Sequence, residues 1–591
     1  MSAEDAPQLT HHAMLIAWGQ FAQCLGFVEQ LEAIPIQQKT VDHSPQSKVI
    51  EFLVANLAGL AHLKEISVAA HPLDQDLAVA QAWRQAGWAD YSGVSRTLAS
   101  LTRAETEAIV QVLQEVSAPW IHQEVVRALG QEGRLILDGD LSGRPVSNTS
   151  RTYPEVAYGH MDDQIRLGYQ GALVSLHSPT YGRLWLSVAQ HPGDTVSSTE
   201  AEPMVRRSEG ILGLRPLRRV DGLRQRLSTL RNVQKERKKK ERQARLAREK
   251  EHQALDELQR KLARLETEVH LNEAVYAQQQ RSVRPHSRLA QLRHQWESGQ
   301  ERLKRKELAL GRAERRTERH QRERQAGDIQ IQRLSERLEQ FEQDNRTNGA
   351  PIQAVFRLDA GFGTPENVAL LIEMGYELYS KPSSTWLTGR LKNWTDEHTA
   401  WQPVGQNAEM VAWSAQPIPD FPYPLDVALE RFHTGEKVRW SGLIHFGSDP
   451  AASQPRAWFE RYNQRQTIEA GNKEEKSVFE LQHLKVRSRA GILLQEHFVA
   501  FAANFIRWAT VWLTQECANL PEGWLDPDQP HLKDQVQIGA RSLAWVSWFK
   551  QGCLLKFEDH SVFAGRSLKV KTQWSYQLVL PFAKSCYFSH F

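Results

Sequence analysis

Apolar residues recur at three- and four-residue intervals through Lys48 to Leu63 and Arg103 to Val116, which predicts helices, and residues 1–130 read as a helical region. From Gly133 the pattern changes. Arg134-Leu-Ile-Leu-Asp138-Gly-Asp140-Leu is a short apolar run ending on two acids, and acids two residues apart on a strand share one face. Further strand runs are predicted at Tyr169 to His177 and Arg183 to Gln190, with a helix start at Ser198-Thr-Glu-Ala-Glu. Ala354-Val-Phe-Arg-Leu-Asp359 is another strand ending on an acid. A helix over Pro365 to Met374 and a strand over Tyr376 to Lys381 follow. The predicted order is strand, strand, strand, helix, strand, helix, strand.

Between that first helix and Asp359 the period becomes that of a coiled coil. Leu255, Leu258, Leu262 and Leu265 form one seam, and Leu289, Leu292 and Trp296 a second. Ile331, Leu334, Leu338 and Phe341 form a third. A break at Ser282-Val-Arg-Pro285-His-Ser predicts the tip of a helical hairpin, each arm roughly 50 residues or about 75 Å long at 1.5 Å per residue. Residues 382–459 are rich in Trp, Pro and Gly and predict a small β-rich insertion, its tryptophans mostly core, with one or two able to stack on an unpaired base. Residues 455–518 read as helical and 530–591 as mainly β.

Charge alters this picture in one place. The chain of 591 residues has a formal net charge of only +3, but residues 222–346 hold 32 Lys/Arg against 20 Asp/Glu. The predicted hairpin is thus a basic module in a mildly acidic body. Both arms are most basic in their middles, residues 231–250 and 302–324, which folding back would set side by side. Two such stretches without an apolar seam should repel, and a polyanion would relieve the repulsion. Arg237, Lys238, Lys239, Lys240, Arg315 and Arg316 are therefore expected to contact nucleic acid. Four scattered cysteines without a C-x-x-C pair point to neither a disulfide framework nor a zinc site. No signal peptide pattern is apparent, and the apolar run Phe498 to Thr514, which contains Arg507, is short for a bilayer span and reads as a buried helix.

The candidate chemistry lies in Tyr462-Asn-Gln-Arg465-Gln-Thr-Ile-Glu469-Ala-Gly-Asn-Lys-Glu-Glu-Lys476. On one helix at about 100° per residue, Tyr462, Arg465, Glu469 and Lys476 would share a stripe about 60° wide. Asp138 or Asp140, Asp359 and Glu469 then form an acidic set suited to hard divalent cations bound through oxygen, Mg²⁺ or Mn²⁺. Two such ions can activate a hydroxyl and stabilise the leaving oxygen of a phosphodiester. Arg465 and Lys476 would hold phosphates, with Lys381 a further candidate. The segment Tyr91-Ser-Gly-Val-Ser95-Arg96 is similar to the turn and second helix of a helix-turn-helix, which would bring Arg96 to DNA.

On these residues the chain resembles bacterial insertion-sequence DDE transposases, in the group with the signature Y-x2-R-x3-E-x6-K. Tyr462, Arg465, Glu469 and Lys476 match all four positions, Leu358-Asp359-Ala-Gly-Phe-Gly363 is similar to the second-Asp motif, and Asp138-Gly-Asp140-Leu-Ser to the first-Asp strand. The resemblance covers about residues 130–210 and 350–515. It implies an α/β ribonuclease H-like core, a mixed five-stranded sheet with helices, that nicks and transfers DNA strands with two divalent ions. The implied catalytic residues are Asp138, Asp359 and Glu469, with Asp140 the competing first ligand. Asp-Gly after an apolar strand favours Asp138. Tyr462, Arg465 and Lys476 would contact the transposon end, and a hairpin intermediate is common in the group.

The expected organisation is a helical DNA-binding region (1–130) and a core in three parts (131–221, 347–381, 460–520). These are interrupted by the coiled-coil insertion (222–346) and the β-rich insertion (382–459), and followed by a β-rich region (521–591). Gly471 and Asn472 would weaken the signature helix, which is expected to bend there. Expected partners are double-stranded transposon-end and target DNA and a second copy of the chain, with no membrane. The expected setting is the bacterial cytoplasm, nucleoid-associated when bound to DNA. A coiled-coil DNA-organising protein on a decayed core, or a stand-alone two-metal nuclease, would use the same residues.

Overall fold

The computed structural model describes residues 6–39, 42–149, 152–161, 164–435, 437–516, 532–558 and 567–571. Contacts divide the chain into two units, one of residues 1–217 with 348–591 and the other Arg218–Thr347. The architecture is mixed α/β, with a helical N-terminal region, a large central sheet, a long helix pair and a small C-terminal sheet.

In the larger unit the N-terminal helices enclose the helix Arg489–Glu516. Its Phe501, Phe505, Trp508 and Trp512 are almost fully buried and meet Phe21, Phe27 and Trp120 ring to ring. The apolar run Phe498 to Thr514 is thus a core helix, and among the described residues no helix is long and apolar enough to cross a membrane. The helix Arg103–Glu132 starts at a capping box between Thr102 and Glu105 and ends at Gly133, whose φ of 70° lets its N–H reach Leu129 O. That stop turns the chain directly into the strand Leu135–Pro145.

Leu135–Pro145 is central in a ten-stranded mixed sheet. On one side it pairs antiparallel with Gln164–Ser178, which in turn pairs with Ala157–Met161 and Gly182–Pro192. On the other it runs parallel to Ala354–Arg357, itself parallel to Glu377–Ser380. The helices Ser197–Leu212 and Pro365–Glu373 cover the face to which Gly139 turns. The opposite face, to which Asp138 and Asp140 turn, carries the helices Pro455–Asn463 and Gln466–Ser477.

The Trp-rich segment is β-rich but adds to this sheet. Lys437–Phe446 pairs with Glu377–Ser380, and Leu425–Thr434, Ala408–Gln416 and Gln402–Pro403 follow outward. Of its tryptophans Trp458 is core, whereas Trp386 is 48% exposed and Trp401 and Trp440 lie against Arg431 and Lys392. The second sheet joins Ala544–Phe549, Gly552–Phe557 and Ser567–Lys571 to the strand Gln8–Thr10. Apart from residues 532–558 and 567–571, the expected β-rich region 521–591 lies outside the described residues.

The smaller unit is two antiparallel helices of 59 residues each, Val220–Gln278 and Arg288–Arg346. The basic middles do lie opposite one another, but their inner positions are not left to repel. Glu241 pairs with Arg324 at 2.6 Å and Glu251 with Lys306 at 2.8 Å, and Gln234 donates to Arg324 O and Asp328. Acids and amides in the seam itself offset the repulsion expected between the two basic stretches.

Candidate active site

The parallel register decides which acids meet. Leu135 pairs with Ala354 and Asp138 with Arg357, where the second strand ends; Asp359 follows two residues later at the start of a short 3-10 turn, close enough for its charge to act on Asp140. Asp138 is spoken for. Arg357 Nε donates to its Oδ1 at 2.6 Å and Nη2 to its Oδ2 at 2.7 Å, with both side chains 1% exposed. Arg357 Nη1 also donates to Arg461 O and Gln464 Oε1, tying the pair to the start of the signature segment. The geometry therefore favours Asp140 over Asp138 as the partner of Asp359 and Glu469.

Asp140 accepts from Arg465 Nη2 at 3.0 Å and from Asn472 Nδ2 at 2.6 Å. Arg465 Nη1 donates to Glu469 at 2.8 Å, so one guanidinium links the first and third acids. Burial pushes the Asp140 carboxyl up to about 6; Arg465 opposes the rise, and the charges of Asp359 and Glu469 add to it. Asp359 Oδ1 is buried and has no hydrogen-bond partner, an arrangement that leaves an acceptor available to a ligand. Among the described residues no group of three or more His, Cys, Asp or Glu stands ready to hold a metal ion, and Arg465 occupies the space between Asp140 and Glu469 that such an ion would need.

The signature spans two helices instead of one. Tyr462 belongs to Pro455–Asn463, while Glu469 and Lys476 belong to Gln466–Ser477. Between them the hydrogen bonds tighten to three-residue spacing, Arg465 N to Tyr462 O, Thr467 N to Gln464 O and Ile468 N to Arg465 O. The helix is continuous through Gly471 to Ser477. Glycine is needed there because a Cβ would run into the Arg183 guanidinium. Tyr462, expected at DNA, is 6% exposed in a cluster with Trp458, Val355 and Tyr379. Burial pushes its hydroxyl well above the usual tyrosine range. Lys381 stands 5.5 Å over its ring.

Two ion clusters hold the signature helix to the sheet. Glu474 accepts from Arg183 at 2.9 Å and from Arg507 at 2.8 Å, and Arg183 also donates to Thr467 O. Glu475 and Glu496 share Arg144, all three 1% exposed, and burial raises the Glu475 carboxyl to about 8.

The other predicted residues are distant from this centre in sequence and in role. Arg96 is exposed on the helix Tyr91–Ser100, which follows Leu77–Ala82 after residues 83–90, a longer connection than the three or four residues of a helix-turn-helix. On the hairpin Lys239, Lys240, Arg315 and Arg316 are exposed, Lys238 lies 3.9 Å from Asp328, and Arg237 is half-buried. Residues that the sequence reading missed are Arg357, Arg144 and Asn472. Asn472 stands three positions after Glu469 and seven after Arg465, a spacing that could have found it on the same stripe. A cavity of ≈190 Å³ lined by Arg134, His177, Arg357, Tyr379, Arg461 and Gln464 lies at this face, and none of the three candidate carboxylates lines it. A scan of protein-family models and a search of curated proteins each return no match to the chain.

Proposed function

We propose that the chain is a DDE-type DNA transposase that cuts and joins strands at the ends of a mobile element, on a ribonuclease H-like core. The observation that carries the reading is the acid set. Asp140 feels the charges of Asp359, which stands just past the end of the neighbouring parallel strand, and of Glu469, to which it is linked through Arg465. With the edge strand Ala157–Met161 and the two hairpin helices set aside, the order around those acids is strand, strand, strand, helix, strand, helix, strand, which supports the core assignment.

The all-oxygen donor set, with one buried, unpartnered oxygen on Asp359, suits Mg²⁺ or Mn²⁺ in its chemistry, and Asp140, Asp359 and Glu469 would hold such an ion once Arg465 leaves the space between Asp140 and Glu469. Such ions, two per site by the resemblance, would supply charge stabilisation to the attacking and leaving oxygens of the phosphodiester. The chain's own residues do the rest. Arg465 acts as counter-ion to Asp140 and Glu469 and turns to a phosphate when DNA arrives, since a phosphate offers its guanidinium an equally good bidentate partner. Asn472 keeps Asp140 aimed while Arg465 changes partner. Lys381 and Lys476 add positive charge for the bound strand, and Tyr462 supports the helix junction from within the core. Both ends of an element must be cut in one complex, so two copies of the chain act together on DNA.

Purified protein incubated with Mg²⁺ and a duplex carrying the element's terminal sequences should nick and then join strands. Undiminished activity in both Asp359→Ala and Glu469→Ala would overturn the reading. Hydrolysis without joining would assign a nuclease instead.

A further inference from the structure

We infer that the hairpin Arg218–Thr347 binds duplex DNA through one of its two sides only, the side bearing Arg302, Arg305, Arg312, Arg316 and Arg319. The inference rests on the DNA-binding reading above and adds the face and the mode of contact.

The register of the pair is fixed by its buried residues. In the first helix Leu227, Gln234, Leu255, Leu262 and Val269 are separated by multiples of seven and define heptad position a, with Leu223 and Ala244 at d. In the second, Leu289 and Thr317 fall at a, and Leu292, Gly299, Gly327, Leu334 and Phe341 at d. Ion pairs between the helices show which flanks face one another. Arg224 with Glu342, Lys238 with Asp328 and Arg293 with Glu273 join e to e, while Arg288 with Glu268 joins g to g. The hairpin therefore has an e side and a g side.

Along the basic middle the two sides differ in charge. On the e side Arg231, Lys235, Lys238, Arg242 and Arg245 of the first helix and Lys304 of the second, at e and b, are matched by Glu249 and Asp256 of the first helix and Glu307, Glu314, Glu318 and Asp328 of the second. Opposite charges offset each other there. On the g side the second helix places Arg302 and Arg316 at g and Arg305, Arg312 and Arg319 at c, and the first helix adds Lys240 and Lys250. The acids on that side are fewer, Glu236, Glu257 and Glu323. Arg305 and Arg319 are 79% and 77% exposed, and their acid neighbours Glu301 and Glu323 are on their own helix, one turn away. Such exposed pairs yield readily to a phosphate.

The spacing suits a backbone. From Arg302 to Arg319 the stripe runs about 26 Å at 1.5 Å per residue, a length over which duplex DNA presents about 15 phosphate charges. Guanidinium groups repeated every heptad on a rigid rod can follow phosphates, whereas a run of arginines alone carries no pattern for reading bases in order. The contact is thus with the backbone and independent of sequence.

Two charge-matched variants of the full chain test this. One carries R305Q, R312Q, R316Q and R319Q, and the other R231Q, K235Q, R242Q and R245Q. Glutamine keeps helix propensity, and circular dichroism should show equal helix content in both. Binding to a labelled random-sequence duplex is measured over a range of NaCl. The g-side variant should lose at least about tenfold in affinity and about three from the slope of log K against log salt, and the e-side variant should stay within about twofold of the parent. Equal losses in the two variants, or no loss in the first, overturn the inference, as would tighter binding of anionic vesicles than of duplex DNA. Mg²⁺-dependent nicking by the parent protein is scored in parallel. Absent nicking with a one-sided loss removes the transposase reading alone, and present nicking with equal losses removes only the assignment of the face.

Discussion

Asp138 and Asp140 are two residues apart on one strand face and differ completely in circumstance. Asp138 shares a buried bidentate pair with Arg357, while Asp140 has a pair of donors in Arg465 and Asn472 and two acidic neighbours. Asp140→Asn should therefore abolish nicking, by on the order of a hundredfold or more if it holds the metal, while Asp138→Asn should retain most of it, as a plasmid-nicking assay would read. Arg357→Ala leaves the Asp138 charge buried without its partner, and urea unfolding should show a loss of about 3–5 kcal/mol. Glu475 supplies a pH signature. Its carboxyl is raised to about 8 by burial, so the folded chain holds that proton where the unfolded chain has already released it. Its contribution to stability is full below about pH 4.5 and falls away as pH rises through about 8, so the melting temperature of Glu475→Gln should decline less than that of the parent from pH 5 to 8.5.

At the scale of elements, the four-residue signature was legible as a helical stripe, but its continuity was not. The tightening at Gln464–Arg465 follows from what the chain must reach. Arg357 binds Arg461 O and Gln464 on one side of the break, and Asp140 binds Arg465 just past it. Local periodicity carries no trace of those distant groups. The glycines show the same limit. Gly471 looks like a helix weakener by propensity, yet its missing Cβ is what admits Arg183 against the helix. Gly363, at the end of the Asp359 motif, approaches the backbone carbonyl of Lys381 so closely that a Cβ has no room, and Ser383 N donates back to Gly363 O. Gly363→Ala should cost about 1–3 kcal/mol and lower nicking activity together with thermal stability, because the loop that shifts begins at Asp359.

At the scale of the molecule, the hairpin interrupts the larger unit at a point where that unit closes on itself. Asn348 Nδ2 donates to Arg215 O at 3.0 Å, and Ile352 N to Arg215 O at 3.2 Å. The two chain ends left by removing Arg218–Thr347 are thus already neighbours, and a short Gly/Ser linker should bridge them with little loop-closure cost. A variant with the hairpin replaced in this way should stay folded, with a melting temperature within a few degrees of the parent. It should lose paired-end assembly more than single-end nicking in gel-shift and cleavage assays. Aggregation of that variant would show that the hairpin also supports folding of the rest.

The heptads of the long helices, the buried Phe498 to Thr514 helix and the basic excess of residues 222–346 were all set by the sequence alone, as were the two strand runs, although the first continues past its acids to Pro145 and the second stops at Arg357, short of Asp359. Each depends on periodicity or charge within one continuous segment. The tertiary structure decided the pairings between segments far apart: the offset that matches Asp138 to Arg357 and leaves Asp359 near Asp140, the attachment of the Trp-rich strands to the core sheet, and the pairing of Gln8–Thr10 with Ala544–Phe549. Strand register is a relation between two segments, and neither alone contains it. A shift of one residue would send every side chain to the opposite face, and it is the packing of both sheet faces, with Met204 and Leu358 on one and Arg465 and Asn472 on the other, that fixes which acid stands next to which.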